Sequence, residues 1–130
     1  MNQNLIMKKC LKCNALVEVL EDCHCEDCGI TCCGEPMQEV TINDKDASFE
    51  KHIPTYEING DKLLVKVNHG MDKEHYIEWI SIRTEKETYT KKFTPEDTPE
   101  LSYNLEGNAT IYSYCNKHGL WKVEVRKESE

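Results

Sequence analysis

Seven of the eight cysteines fall within the first 33 residues of this 130-residue chain, and no other feature restricts its folding so strongly. Residues 1–40 hold those seven thiols and little apolar material beyond Leu16, Val17, Val19 and Leu20. A core that small cannot offset the entropy of ordering the segment, so a bound metal must supply the missing free energy. The opening MNQNLIMKKC has only Leu5, Ile6 and Met7 as an apolar patch, too short for a secretory signal, and the chain reads as cytoplasmic. Thiols in such a setting point to metal binding or redox chemistry rather than to disulfides.

The spacings support metal. Cys10-Leu11-Lys12-Cys13 is a C-x2-C pair, and Cys32-Cys33 supplies two adjacent thiols further on. Together they suit a tetrahedral four-thiolate site for iron or zinc. Adjacent cysteines must turn two neighbouring side chains onto one ion, and Gly34 is expected to relieve the backbone there. The loop Cys23-His24-Cys25-Glu26-Asp27-Cys28 adds three thiols and an imidazole, more than one mononuclear site can use. Cys25, Cys28 and Cys32 run C-x2-C-x3-C, like part of a ferredoxin cluster sequence. Three readings therefore stay open for residues 1–40: iron in a mononuclear four-cysteine site, an iron–sulfur cluster involving Cys23, Cys25 and Cys28, or a structural zinc knot. No task follows for His24.

Cysteine density drops after Cys33, which places a boundary between a module at 1–40 and a domain at 41–130. Residues 41–51 (TINDKDASFEK) are polar and acidic and read as a linker. From Pro54 onward the pattern is that of short strands. Residues 55–58 and 62–67 flank the turn signal Asn59-Gly60-Asp61, and 75–82 (HYIEWISI) is rich in β-branched and aromatic residues. Residues 87–93, 109–114 and 120–125 continue in that style, while Pro95 and Pro99 interrupt an acidic loop. Six or seven short strands imply an all-β chain: a small metal-stapled module followed by an immunoglobulin-like β-sandwich. The net charge of -8 argues against nucleic acid as a partner. No stretch approaches the ~20 apolar residues of a membrane span.

Four histidines outside the cysteine-rich segment carry the functional signal. His52 lies beside Lys51, His69 in a loop after a strand, and His75 at the start of the HYIEWI strand. Each alone fits an ordinary surface residue. Cys115 and His118, three residues apart in CNKHGLW, can grip one ion from a single tight loop. One sulfur with four nitrogens is an unusual donor set, better suited to redox iron than to structural zinc.

Glu50–Pro54 (EKHIP), His69-Gly70-Met71, EHYIEWI at 74–80 and CNKHGLW at 115–121 resemble, in order and spacing, the superoxide reductases. The pattern from Cys10-x-x-Cys13 to CCGEPM at 32–37 is similar to the desulforedoxin-like module of the desulfoferrodoxin subgroup. Two features depart from the family: His69-Gly70-Met71 stands where His-Pro-Met is usual, and the Cys23–Cys28 insertion is foreign to the module. The resemblance implies a non-haem iron with His52, His69, His75 and His118 around its equator and Cys115 axial. It implies one-electron reduction of superoxide to hydrogen peroxide. Lys51 would steer the anion and organise the protonating water, and Glu50 would match the carboxylate that takes the sixth position at rest. A rubredoxin-like external donor and a homodimer follow from the same resemblance. The alternatives are an iron–sulfur or rubredoxin-like electron carrier without superoxide chemistry, and a zinc-stabilised interaction module.

Overall fold

The computed structural model describes residues 5–21, 29–43 and 52–126. The chain divides into two compact units, Met1–Thr41 and Ile42–Glu130. Among the described residues all regular structure is strand, and no helix is long and apolar enough to cross a membrane.

In the first unit β1 (Ile6–Lys9) pairs antiparallel with β2 (Leu16–Val19). Strand β3 (Thr31–Cys32) pairs with β4 (Glu35–Pro36), and β5 (Gln38–Glu39) returns to the free side of β1. The buried apolar set is Leu5, Met7, Cys10 and Met37. The apolar residues of β2, expected to form what core there is, are only half-buried, and Leu20 is 87% exposed. With so little burial the module depends on its cysteines. The β3–β4 connection is the two-residue turn Cys33-Gly34, with φ of +56° and +76°. Positive φ at both central positions is the type I′ hairpin geometry, whose twist matches that of the flanking strands. The strain expected to fall on Gly34 is thus shared by Cys33, a residue with a Cβ.

The second unit is a two-sheet sandwich. Strands β7 (Thr55–Asn59), β8 (Lys62–Lys66) and β11 (Glu100–Asn104) form one sheet in the order β11-β8-β7. Strands β9 (Ile77–Arg83), β10 (Thr88–Lys92), β12 (Ala109–Cys115), β13 (Gly119–Val125) and the short β6 (Ile42–Asn43) form the other, ordered β10-β9-β12-β13-β6. All pairings are antiparallel except β13 with β6. The expected linker therefore begins as an edge strand, with Asn43 Nδ2 donating to the Leu120 carbonyl at 3.1 Å. The expected acidic loop contains β11, whose inward residue Leu101 is buried.

The core lies between the sheets. Leu63, Val65 and Leu101 come from the smaller sheet, and Ile80, Ile82, Ile111 and Val125 from the larger. Each such burial is worth roughly 1.5–3 kcal/mol. Pairing of β12 with β9 matches Ile111 with Ile82, Ser113 with Ile80 and Tyr114 with Trp79, then jumps to Cys115 with Ile77. The bulge at Glu78 shifts the alternation by one residue, so Ile77 joins Ile80 and Ile82 in the core and faces Cys115. That shift fixes the end of the sheet where the histidines gather.

Candidate metal centres

The β12–β13 hairpin closes on the pair Cys115–Gly119 around the loop Asn116-Lys117-His118. Gly119, the first residue of β13 after the loop, has φ +87°, a left-handed conformation that glycine adopts without steric cost. The tight turn brings Cys115 Sγ within 3.8 Å of His118 Nδ1. His75 does not begin a strand as expected. It closes a turn with Asp72, exchanging both backbone hydrogen bonds at 2.9 and 3.1 Å, and β9 starts two residues later. His69 follows β8, and its Nδ1 bonds the Gly70 carbonyl at 2.6 Å. A carbonyl can only accept, so Nδ1 is the donor there, and Nε2 is the ring nitrogen turned inward. His52 is held through its carbonyl, which accepts from the buried Ser113 hydroxyl at 2.6 Å.

One donor atom from each of His52, His69, His75, Cys115 and His118 lies within 4.8 Å of all the others. The four rings close a cycle. Successive centroids from His52 to His69, His75, His118 and back to His52 are 5.0, 4.7, 4.8 and 4.8 Å apart. His118 Nδ1 stands 3.1 Å from His52 Nε2 and 3.2 Å from His75 Nε2. Nitrogens bound at right angles about one ion, each ~2.1 Å from it, stand about 3.0 Å apart, so the spacing fits a transition metal. Cys115 Sγ is 3.7 Å from His69 Nε2 and 3.8 Å from His118 Nδ1. These two nitrogens are opposite corners of the cycle, so the sulfur lies near its axis. His52 and Cys115 are buried, His69 and His75 half-buried and His118 exposed. The sulfur of Cys115 packs in the core, and of the four imidazoles His118 is the one exposed to water.

In the first unit Cys10, Cys13, Cys32 and Cys33 present sulfurs that likewise lie within 4.8 Å of one another. Cys32 Sγ is 3.7 Å from Cys13 Sγ and 3.8 Å from Cys33 Sγ. Four sulfurs placed tetrahedrally ~2.3 Å from an ion are about 3.8 Å apart. The knuckle is tied by Asn14 N to Cys10 O and Cys10 N to Ala15 O, both 2.9 Å, with Asn14 at φ +67°. The Cys13 backbone N–H, 3.5 Å from Cys10 Sγ, is the main cause that draws the Cys10 thiol down to about 7. Its neighbours do the reverse to Cys32, pushed up to about 12 first by Cys13 and then by Cys10 and Cys33. Cys33 is raised too, again chiefly by Cys13. Four clustered sulfurs cannot all ionise without a cation among them.

All nine cysteine and histidine positions expected as ligands thus fall into two groups, one in each unit. Glu50 and Lys51, and the extra Cys23, His24, Cys25 and Cys28, lie outside the described residues. Sequence reasoning passed over three residues that hold the histidines: Ser113, Asn116 and Trp121. The Trp121 ring stacks on His52 at 4.7 Å and 14°, and its Nε1 donates to the His118 carbonyl at 3.0 Å. Its place in CNKHGLW, three residues past His118, was the available signal.

An all-β chain with one all-sulfur donor set and one of four nitrogens and a sulfur defines a non-haem metalloprotein with two centres. The desulfoferrodoxin family model matches residues 44–124, and the chain belongs to that family. It is 38% identical over 128 residues to the desulfoferrodoxin of Syntrophotalea carbinolica, covering 95% of this chain and 99% of that protein. It is 31% identical over 115 residues to the superoxide reductase of Pyrococcus horikoshii, covering 71% of this chain and 100% of that protein. Among solved structures, the superoxide reductase of Treponema pallidum superposes with a TM-score of 0.75 at 25% identity, covering 94% of this chain and 99% of that one.

Proposed function

We propose that the chain is a superoxide reductase, passing one electron to superoxide, which leaves with two protons as hydrogen peroxide. The observation that carries this reading is the cycle of four imidazoles with Cys115 Sγ near its axis. Iron bound there would supply the electron and a site of net positive charge, since neutral imidazoles add none and one thiolate cancels only part of the ferrous charge. Cys115 would be the donor that raises electron density on an iron held there, and its burial keeps water from the sulfur. His69, held through Nδ1 by the Gly70 carbonyl, turns Nε2 toward Cys115 Sγ. With Cys115 packed in the core, a small anion would approach the face of the imidazole cycle opposite the sulfur.

That anion meets a chain of net charge -8, so attraction must be local. Lys51, next to His52 in sequence, is assigned that task and the ordering of the proton-delivering water. Glu50 is assigned as the companion carboxylate. The four-cysteine group is read as a second iron site, and the electron is returned by a rubredoxin-like donor. A homodimer and a cytoplasmic location complete the reading.

The test is metal content, colour and rate together. About two irons per chain, a thiolate-to-iron band and rapid superoxide consumption are expected. A colourless zinc protein would favour the interaction module. A coloured one that consumes superoxide no faster than outer-sphere background would favour the electron carrier. Lys51→Ala should slow the second-order reaction and flatten its ionic-strength dependence; no change in either at low salt removes the steering role.

A further inference from the structure

The backbone on both sides of His75 is bonded in an unusual way. His75's own N–H and carbonyl are used by Asp72. The flanking groups, Tyr76 N–H and Glu74 C=O, go to a single side chain, that of Asn116. Asn116 Oδ1 accepts from Tyr76 N at 2.9 Å, and Asn116 Nδ2 donates to Glu74 O at 2.9 Å. The Asn116 backbone N–H adds a third bond, to Tyr76 O at 3.3 Å. The carboxamide thus stands in for a strand backbone where the β9–β12 ladder has ended, and it brackets His75 from either side. Asn116 also lies between Cys115 and His118 in the hairpin loop.

We propose that Asn116 is a positioning residue that fixes the loop of His75 against the loop of Cys115 and His118, so that the site is assembled from two segments in one register. No other residue type of this length offers a donor and an acceptor in one planar group. Aspartate keeps the acceptor for Tyr76 N–H and loses the donor to Glu74 O. Alanine loses both. The inference rests on the metal-site reading above, and its test separates the two.

The full chain, loaded with iron, is challenged with excess chelator while the part of the thiolate-to-iron absorption that Cys115→Ser removes is followed, and amide hydrogen exchange is read over residues 72–77. Asn116→Ala should release iron from this site tenfold or more faster, in line with the loss of other groups that orient metal ligands. It should also speed exchange at Tyr76, with Asn116→Asp intermediate in both. Unchanged iron release in Asn116→Ala overturns the proposal, as does a lowered melting temperature alone. Should the unaltered chain take no iron at this site, the functional reading fails, and unchanged exchange at Tyr76 in Asn116→Ala would then overturn the positioning role as well.

Discussion

Trp121 offers the sharpest test of how the imidazole cycle is held. Its indole makes two different interactions with two different histidines: a near-parallel stack on His52 and a hydrogen bond to the His118 carbonyl. A stacked aromatic pair is worth about 0.5–1.5 kcal/mol beyond its buried area. A hydrogen bond of this kind contributes about 0.5–1.5 kcal/mol net. Trp121→Ala removes both, a loss of about 2 kcal/mol, or roughly 30-fold in an equilibrium constant. Trp121→Phe keeps a ring over His52 and loses only the N–H, about 1 kcal/mol or roughly fivefold. Iron release to a chelator should follow that order, with Trp121→Ala fastest. The melting temperature of the β-sandwich should fall by roughly 8–16 °C in Trp121→Ala and by about half that in Trp121→Phe. The reasoning is refuted if Trp121→Phe is as damaging as Trp121→Ala in both assays, for then the stack holds nothing. It is equally refuted if Trp121→Ala retains iron like the unaltered chain.

Cys115→Ser should remove the share of the thiolate-to-iron absorption that Cys32→Ser leaves in place, and most superoxide reduction, while the fold survives, because hydroxyl and thiol differ little in volume; persistence of that share would mean that another sulfur is the donor at the histidine site. Cys32→Ser removes the sulfur that faces both Cys13 and Cys33, and should unfold the first unit, seen as faster hydrogen exchange over β1 and β2, yet spare superoxide consumption by the second. Loss of that activity would show the two centres to be coupled. Tyr103 is pushed up to about 12, chiefly by burial and then by its hydrogen bond to Glu87. Between pH 10 and 12 the folded state then holds a proton that the unfolded state has released. The stability of the sandwich should fall across that window, and Tyr103→Phe should flatten the slope in urea titrations. An unchanged slope in Tyr103→Phe would assign the loss to another group.

Much of the design is visible in the chain because strong local signals and strong chemistry coincide. The turn at Gly60-Asp61, with Gly60 at φ +64°, and the inward alternation of Leu63 and Val65 place β7 and β8 without reference to the rest of the fold. What escaped is set by partners distant in sequence. Ile42-Asn43 becomes a strand only because β13 lies alongside, and two residues in a polar stretch carry no periodicity of their own. Glu100–Asn104 has only Leu101 as a deeply buried apolar residue, so its alternation is lost among the acidic residues and prolines before it. His75 follows the same logic. The β-branched pattern of HYIEWISI continues through it, but the Asp72–His75 turn and the Asn116 bracket take its backbone out of the ladder. A ligand list can be read from residue types and spacing. The order of the rings around Cys115 cannot, since it depends on a one-residue bulge at Glu78, a hydroxyl at Ser113 and an amide at Asn116, each acting across more than thirty residues of sequence. Chelating chemistry is thus written locally, and its geometry is written in the sheet.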